Sequence, residues 1–518
     1  MSWEKAVPHI FEHAASTPDK AAIIVAETGE QISYRELERQ SNQIAHLLRG
    51  FDLTKGDKVA FILPNKPVFF SLAWAAQRSG LDYVCISAKL TLDEIEYILE
   101  DSGARLLVAD YEFSQTMAEL NHKHMFRLSV GGEISGFEAL EAAIAEQPDC
   151  PIADQSLGSA MLYSSGTTGR PKGVVKVLTK ISAIDDPTPL MQVAQAYFGL
   201  SPDTIYLCPA PLYHSAPLNW TMAVQQMGGT VVLMRKFDPL LALESIGRYR
   251  CSAAQFVPTH FIRMLKLPED VRRSADLSSL RTAIHAAAPC PVPVKEAMIN
   301  WWGTIIDEYY AGTEGNGVTA IKAKEWLTKK GSVGQIVAGT AIHICSEGGD
   351  VLPVRTEGIV YFEGPSSFSY HNDPDKTAES RSPEGWTTLG DLGWLDDDGY
   401  LYLTDRKSFM IISGGVNIYP QEIENHLIMH PAVHDVAVVG GPDPEMGEEV
   451  IAAIELAPGI QGNDQLREQL TAFAREKLSG IKIPRRIDFV EALPRHETGK
   501  LYKRLLRDAY WSKANENA

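Results

Sequence analysis

Short apolar runs alternate with longer amphipathic stretches through the first two thirds of the chain. Val59-Ala60-Phe61-Ile62-Leu63 has the length of a strand, entered through Gly56-Asp57-Lys58 and closed by Pro64-Asn65. Tyr83-Val84-Cys85-Ile86 and Leu106-Leu107-Val108-Ala109 repeat the pattern, each after a helix-length segment. Residues 8–50 read as a helix, a turn containing Gly29 and a second helix from Tyr34. Parallel strands need long crossovers, so strands separated by helices imply a parallel sheet and the α/β class. Ala160-Met161-Leu162-Tyr163 reads as one more buried strand, and the alternation then runs to about residue 345.

From Gly358 the texture becomes β-rich, with Ile359-Val360-Tyr361-Phe362 and Leu401-Tyr402-Leu403. The most favourable boundary falls at Asp405-Arg406-Lys407-Ser408. Beyond it, the pattern predicts a helix over Pro420 to Met429 and strands over Val433 to Val439 and Val450 to Leu456. A further helix is predicted to be capped by Asp464, with Leu466, Leu470 and Phe473 on one face. The expectation is a large domain over residues 1–407, made of parallel-rich sheets with flanking helices plus a β-rich segment, and a small α+β domain over 408–518.

Composition narrows the classes. At 518 residues the chain exceeds a single core. Acidic residues number 66 against 48 basic ones, a net charge of −18, which disfavours nucleic acid and anionic membrane as partners. Cys85, Cys150, Cys208, Cys251, Cys290 and Cys345 show no close pairing, which argues against a disulfide framework or zinc site. No apolar run reaches the length of a membrane span, and no apolar stretch follows Met1-Ser2-Trp3-Glu4-Lys5 as a leader would require. A soluble, cytoplasmic protein is expected.

The chemistry centres on Tyr163-Ser164-Ser165-Gly166-Thr167-Thr168-Gly169-Arg170-Pro171-Lys172-Gly173. Glycines let backbone N–H groups turn toward an anion, hydroxyls add donors, and Arg170 and Lys172 add positive charge. It is no Walker loop, because Lys172 lies between Pro171 and Gly173 instead of following Gly and preceding Ser or Thr. Four further segments follow in order: Tyr309-Tyr310-Ala311-Gly312-Thr313-Glu314-Gly315; Gly390-Asp391-Leu392-Gly393 with Asp405-Arg406; Ile411 to Pro420 around Gly414-Gly415; and Pro494 to Lys500. Each alone has a plainer reading, an exposed turn for Glu314 or Asp391 and a solvated side chain for Lys500.

Together, nearly the whole chain resembles the acyl-adenylate-forming superfamily, which includes acyl-CoA synthetases, peptide-synthetase adenylation domains and beetle luciferases. The resemblance implies that the loop from Ser164 to Gly169, with Lys172, holds the phosphates of ATP. It implies that Tyr310 lines the nucleotide, Thr313 contacts the α-phosphate and Glu314 binds Mg²⁺. Ala311 is a mild departure, since glycine is frequent there. Asp391 and Arg406 match the ribose-binding pair, and a carboxylate is suited to accept from two hydroxyls. Lys500 matches the lysine that bridges carboxylate and phosphate during adenylation. Gly414 and Gly415 match the segment lining the pantetheine tunnel in the second half-reaction, so the small domain is expected to swivel. Its hinge falls at Ser408, where the family usually has Asp or Lys. His214 matches a gate to the acyl pocket, although a histidine between apolar residues is more often a core histidine. His285 to Pro291 matches the segment packing on adenine and the acyl group, with Ala286 and Ala287 as contacts.

Within this family, CoA is the expected acceptor, with ATP and Mg²⁺ as the other requirements. Around Tyr213-His214 there is no Asp to meet an amino acid's ammonium. The small residues Ala216, Ala286, Ala287 and Ala288 suggest a roomy pocket, and no cation marks a second carboxylate. The expected substrate is a hydrophobic carboxylic acid, of the bulky alicyclic, steroid-side-chain or fatty kind. Alternatives are an aromatic acid of the cinnamate or benzoate type, and a freestanding enzyme charging a carrier protein. A non-catalytic nucleotide sensor is the reading from another class, against which Glu314, Lys500 and the intact loop all speak. A homodimer enters only because dimers are common in the family.

Overall fold

The computed structural model describes residues 9–87, 89–121, 125–164, 171–176, 184, 188–364, 368–406, 409–414, 416–495 and 501–516, with backbone alone at Ser164, Pro189, Arg406 and 513–516. Four sheets carry the described part of the chain. In the largest, Ala21–Val25, Thr230–Leu233, Ile205–Cys208, Ala253–Phe256, Thr282–His285 and Ile306–Ala311 lie side by side and parallel. Helices cover both faces of these six strands, so they are nearly continuous runs of buried residues. The sheet then continues antiparallel through Val318–Ile321, Ser332–Ala338, Leu401–Arg406, Thr387–Leu395, Gly358–Glu363 and Ala341–Cys345, the β-rich texture read from the sequence.

A second sheet places Asp82–Cys85, Lys58–Ile62, Leu106–Asp110, Phe126–Val130 and Glu138–Ala139 in parallel register. The helices Tyr34–Gly50, Pro67–Arg78 and Ser215–Gln226 contribute to the core that joins the two sheets, where Phe69, Phe70, Trp74 and Trp220 are essentially inaccessible. Each such side chain contributes roughly 1.5–3 kcal/mol by burial. Two polar pairs lie inside it: Trp74 Nε1 donates to Gln225 Oε1 at 2.7 Å, and the Arg78 guanidinium meets the Glu38 carboxylate at 2.6 Å.

A small antiparallel sheet of Leu162–Ser164, Lys172–Lys176 and Phe368–Tyr370 carries the phosphate-loop segment. The last sheet, from Ile411–Ser413 to Arg486–Val490, closes on its own core of Ile411, Ile423, Leu427, Val438, Ile454 and Leu470. Lys266 Nζ ties it to the large domain by donating to the carbonyls of Val433 and His434 at 3.1 and 3.0 Å.

Two sequence expectations are corrected. The first helix ends at Ser16, immediately before Thr17-Pro18, and Ala21–Val25 is a strand. Pro18 pushes its predecessor out of the helical region, and the β-branched Ile23, Ile24 and Val25 find parallel partners in Val231, Val232 and Leu233. The cap of the helix Asp464–Arg475 is Asn463, whose side chain accepts from Leu466 N, while Asp464 is the first helical residue.

Candidate functional site

A cavity of about 1750 Å³ opens where the parallel strands end. Ala210, Phe256, Ala286 and Tyr310, at or just beyond the carboxyl ends of four neighbouring strands, all line it. Open α/β sheets bind ligands in this crevice, because loops leaving adjacent strands diverge there. Its volume exceeds the 300–1,000 Å³ or so of a single-ligand pocket.

Tyr310, near the end of Ile306–Ala311, donates its hydroxyl to Asp391 Oδ2 at 2.5 Å. Asp391 is buried and lies directly across the hairpin from Arg406, its Cα partner in the ladder. Residues 15 apart in sequence are thus neighbours because Thr387–Leu395 folds back on Leu401–Arg406. Glu314 is also buried, and Tyr370 donates its hydroxyl to Glu314 Oε1 at 2.9 Å. Gly312 permits this arrangement: a Cβ there would stand 2.8 Å from Glu314 Oε2 and 2.6 Å from Leu389 Cδ1. Thr313 lines the cavity between them.

Lys172 and Lys176 line the cavity from one face of their strand. Lys172 Nζ stands 5.8 Å from the centre of the Tyr370 ring. Burial pushes both ammonium groups below the usual lysine range; Lys376 adds to the shift at Lys172, and Glu314 opposes it at Lys176. A cavity that destabilises lysine ammonium is one in which an anionic ligand is welcome.

Behind the wall, Lys295 Nζ lies 2.5 Å from Glu308 Oε2, and His285 Nε2 lies 3.3 Å from the same oxygen. Burial raises the Glu308 carboxyl, but His285 and Lys295 outweigh it and hold the group down at about 2. Burial also lowers His285, which is therefore neutral near pH 7, so Lys295 is the partner that matters. This triad clamps Thr282–His285 to Ile306–Ala311, and Ala287 follows directly in a left-handed backbone with φ 74°.

His214 lines the cavity at the N-cap of Ser215–Gln226, its ring 4.3 Å from that of Tyr213. Arg495 and Leu501, which flank the Lys500 segment, also line the cavity, and Arg495 is paired with Asp435 at 2.7 Å. Gly414 is not among the lining residues: its φ is 55°, and a Cβ there would stand 2.3 Å from Met446 Cε. Ser165, Gly166, Thr167, Thr168, Gly169, Ser408, Gly415 and Lys500 lie outside the described residues, as do the side chains of Ser164 and Arg406. Sequence reasoning missed Tyr370, Lys176 and the Glu308–Lys295 pair. Only the lysine carried a local signal, its two-residue alternation with Val174 and Lys172.

The family described as AMP-binding enzyme matches residues 10–370, and the AMP-binding enzyme C-terminal domain matches residues 422–500. A feruloyl-CoA synthase from Amycolatopsis sp is 32% identical over 484 residues, covering 93% of this chain and 94% of the relative. The fatty acid–[acyl-carrier-protein] ligase ScoC of Streptomyces coeruleorubidus is 32% identical, covering 96% of this chain and 95% of the relative. Among solved structures, the anthranilate CoA ligase AuaEII in complex with anthranoyl-AMP superimposes with a TM-score of 0.84 at 26% identity, covering 99% of each chain.

Proposed function

This chain belongs to the AMP-binding enzyme family, among its acid–thiol ligases, and we propose that it joins a largely apolar carboxylic acid to CoA in two steps at this cavity. In the first, a carboxylate oxygen attacks the α-phosphorus of ATP, a P–O bond breaks and pyrophosphate leaves, giving acyl-AMP. In the second, the sulfur of CoA attacks the acyl carbonyl, the C–O bond to AMP breaks, and the thiol proton passes to solvent. AMP and the acyl-CoA are released.

One observation carries this reading: Tyr310, Asp391, Glu314 and Lys172 converge on one cavity, together with both flanks of the Lys500 segment. We assign the ribose to Asp391 and Arg406, with Tyr310 fixing the carboxylate and the segment Ala286-Ala287 facing the adenine. The loop from Ser164 to Gly169, Lys172 and Thr313 face the phosphates. Lys500 supplies the mobile cation for adenylation, and His214 stands at the acyl side. The proposed unit boundary is 407/408, with residues 408–518 turning to bring Gly414 and Gly415 to the site for thioester formation. Positioning and cationic stabilisation of the phosphoryl oxygens carry most of the rate.

The donor set fits Mg²⁺ arriving with ATP. Among the described residues no three His, Cys, Asp or Glu side chains converge, so an ion beside Glu314 would share the phosphates, a common arrangement for Mg²⁺. When bound, it offsets charge on those oxygens.

For the acid, the cavity's small and apolar lining at Ala286, Ala288, Ala311, Gly312, Trp220 and Met222 supports a bulky hydrophobic group, aliphatic or aromatic. The likeness to a carrier-protein ligase keeps a carrier thiol as a second reading. Trapping with hydroxylamine tests the first step: acyl-hydroxamate forming from acid and ATP without CoA supports it, and ATP cleavage without hydroxamate contradicts it. Competition between CoA and a phosphopantetheinylated carrier protein then decides the acceptor.

A further inference from the structure

Of the cations lining the cavity, Lys376 is paired with Glu379, Lys503 with Glu424 and Arg495 with Asp435. Among the described residues Lys176 has neither an ion pair nor a hydrogen bond, although Glu314 acts on its charge. Its side chain reaches solvent through the cavity, whose walls surround its ammonium, and its Cε stands 3.8 Å from where a Cβ on Gly315 would be. The register fixes its depth. Ser164 is the Cα partner of Lys172, Tyr370 of Val174, and Phe368 of Lys176. Moving away from the phosphate loop, the strand therefore meets Lys172 first, then the level of Tyr370 and its bond to Glu314, and then Lys176. At about 3.3 Å per residue, Lys176 lies ~13 Å along the strand from Lys172, beyond the carboxylate assigned to the metal and α-phosphate.

A second polar group waits beside the same turn. Asn316 lines the cavity at 2% exposure, and among the described residues its Oδ1 has no hydrogen-bond partner, while Nδ2 reaches Thr387 O at 3.5 Å. A buried amide oxygen without a protein partner is costly to leave unpaired, so it takes a hydrogen-bond donor from the cavity, water or ligand. Gly315 separates the two residues that flank this turn, Glu314 and Asn316, so Lys176 and Asn316 border one stretch of cavity wall.

We propose that Lys176, with Asn316 beside it, forms a polar subsite that receives an oxygen carried on the acyl portion of the acid, away from the carboxylate being activated. The substrate class is then an oxygenated acid, in which a largely apolar body bears a hydroxyl, an oxo group or a second carboxylate. Lys176 donates to that oxygen, and a hydroxyl additionally donates to Asn316 Oδ1. This deepens the ligase reading and rests on it for the location of the reacting carboxylate. The alternative occupant of Lys176 is the pyrophosphate moiety, which its place beyond Glu314 disfavours.

The test compares acids of equal length ending in CH₃, CH₂OH or COO⁻, with the native enzyme, Lys176→Met and Lys176→Arg. Pyrophosphate release gives kcat/KM, and the shift in Tm on adding each acid reports binding without turnover. A hydrogen bond to a charged donor implies a preference of roughly tenfold to a hundredfold for the oxygenated acids. Lys176→Met should abolish that preference and leave the hydrocarbon acid and the KM for ATP unchanged, while Lys176→Arg retains it. The CH₂OH and COO⁻ arms separate a neutral from an anionic partner. The proposal is overturned by a wild-type enzyme that shows no preference, or by a Lys176→Met variant that raises the KM for ATP and slows every acid alike. Should no acid release pyrophosphate, the ligase reading fails by itself. Binding shifts that favour oxygenated acids and vanish in Lys176→Met would still support the subsite, and equal shifts would sink it.

Discussion

Replacing Lys295 with Met strands the Glu308 carboxylate inside the wall of the site. Lys295 is fully buried, Glu308 is 5% exposed, and their atoms approach to 2.5 Å. Lys295 Nζ also stands 4.7 Å from the centre of the Trp326 ring. Removing one partner of a buried ion pair costs about 3–5 kcal/mol. The Glu308 carboxyl, held at about 2 in the folded protein by His285 and Lys295 against the opposing effect of burial, favours the folded state at neutral pH. Because the folded value is depressed, that contribution is complete above 4.5 and is lost as pH falls from 4.5 toward 2. In Lys295→Met burial still raises the carboxyl and only His285 remains to oppose it, so the variant regains ground as pH falls and the group protonates. Urea unfolding followed by tryptophan fluorescence should give a deficit of about 3–5 kcal/mol at pH 7 that narrows by pH 5. Adding Glu308→Gln to Lys295→Met should restore most of the loss, because a neutral amide carries no stranded charge. A deficit under about 1 kcal/mol, or one independent of pH, would refute the reasoning.

Three further outcomes follow from the site. Tyr310→Phe removes the hydroxyl that fixes Asp391 and should raise the KM for ATP roughly tenfold with a smaller effect on kcat, in steady-state kinetics; an unchanged KM counts against the ribose assignment. Ala287 has φ 74°, so Ala287→Val should lower Tm and activity while Ala287→Gly keeps both, by thermal unfolding and pyrophosphate release. Lys500→Ala should abolish acyl-AMP formation but spare thioester formation from supplied acyl-adenylate, and Gly415→Leu should do the reverse; loss of both steps in Lys500→Ala contradicts the swivel.

Local chemistry made some of this legible and tertiary pairing hid the rest. Gly390-Asp391 and Asp405-Arg406 could be read as partners through their resemblance to the family's ribose-binding pair, and the structure puts Asp391 opposite Arg406 across one hairpin. The apolar runs at Val59 and Leu106 announced buried parallel strands because each carries its own periodicity. Ala21–Val25 is an apolar, β-branched run of the same kind, and Pro18 just before it marks the break from the first helix, so its strand character too was written locally. Tyr370 reaches Glu314 only because Phe368–Tyr370 is the edge strand beside Lys172–Lys176, a contact no local motif encodes. Lys176 was overlooked because one basic residue in an apolar run reads as a solvated edge. Its cavity neighbours come from the turn after Ile306–Ala311, far along the chain.

The central claim is that one cavity splits ATP at its α-phosphate in response to an acid and hands the acyl group to CoA. Mass-spectrometric analysis of a reaction containing ATP, Mg²⁺, CoA and a panel of apolar and oxygenated acids tests it directly. AMP, pyrophosphate and acyl-CoA should form in equal amounts, all dependent on the acid. ADP and phosphate as products, or AMP released at the same rate with and without any acid, would contradict it.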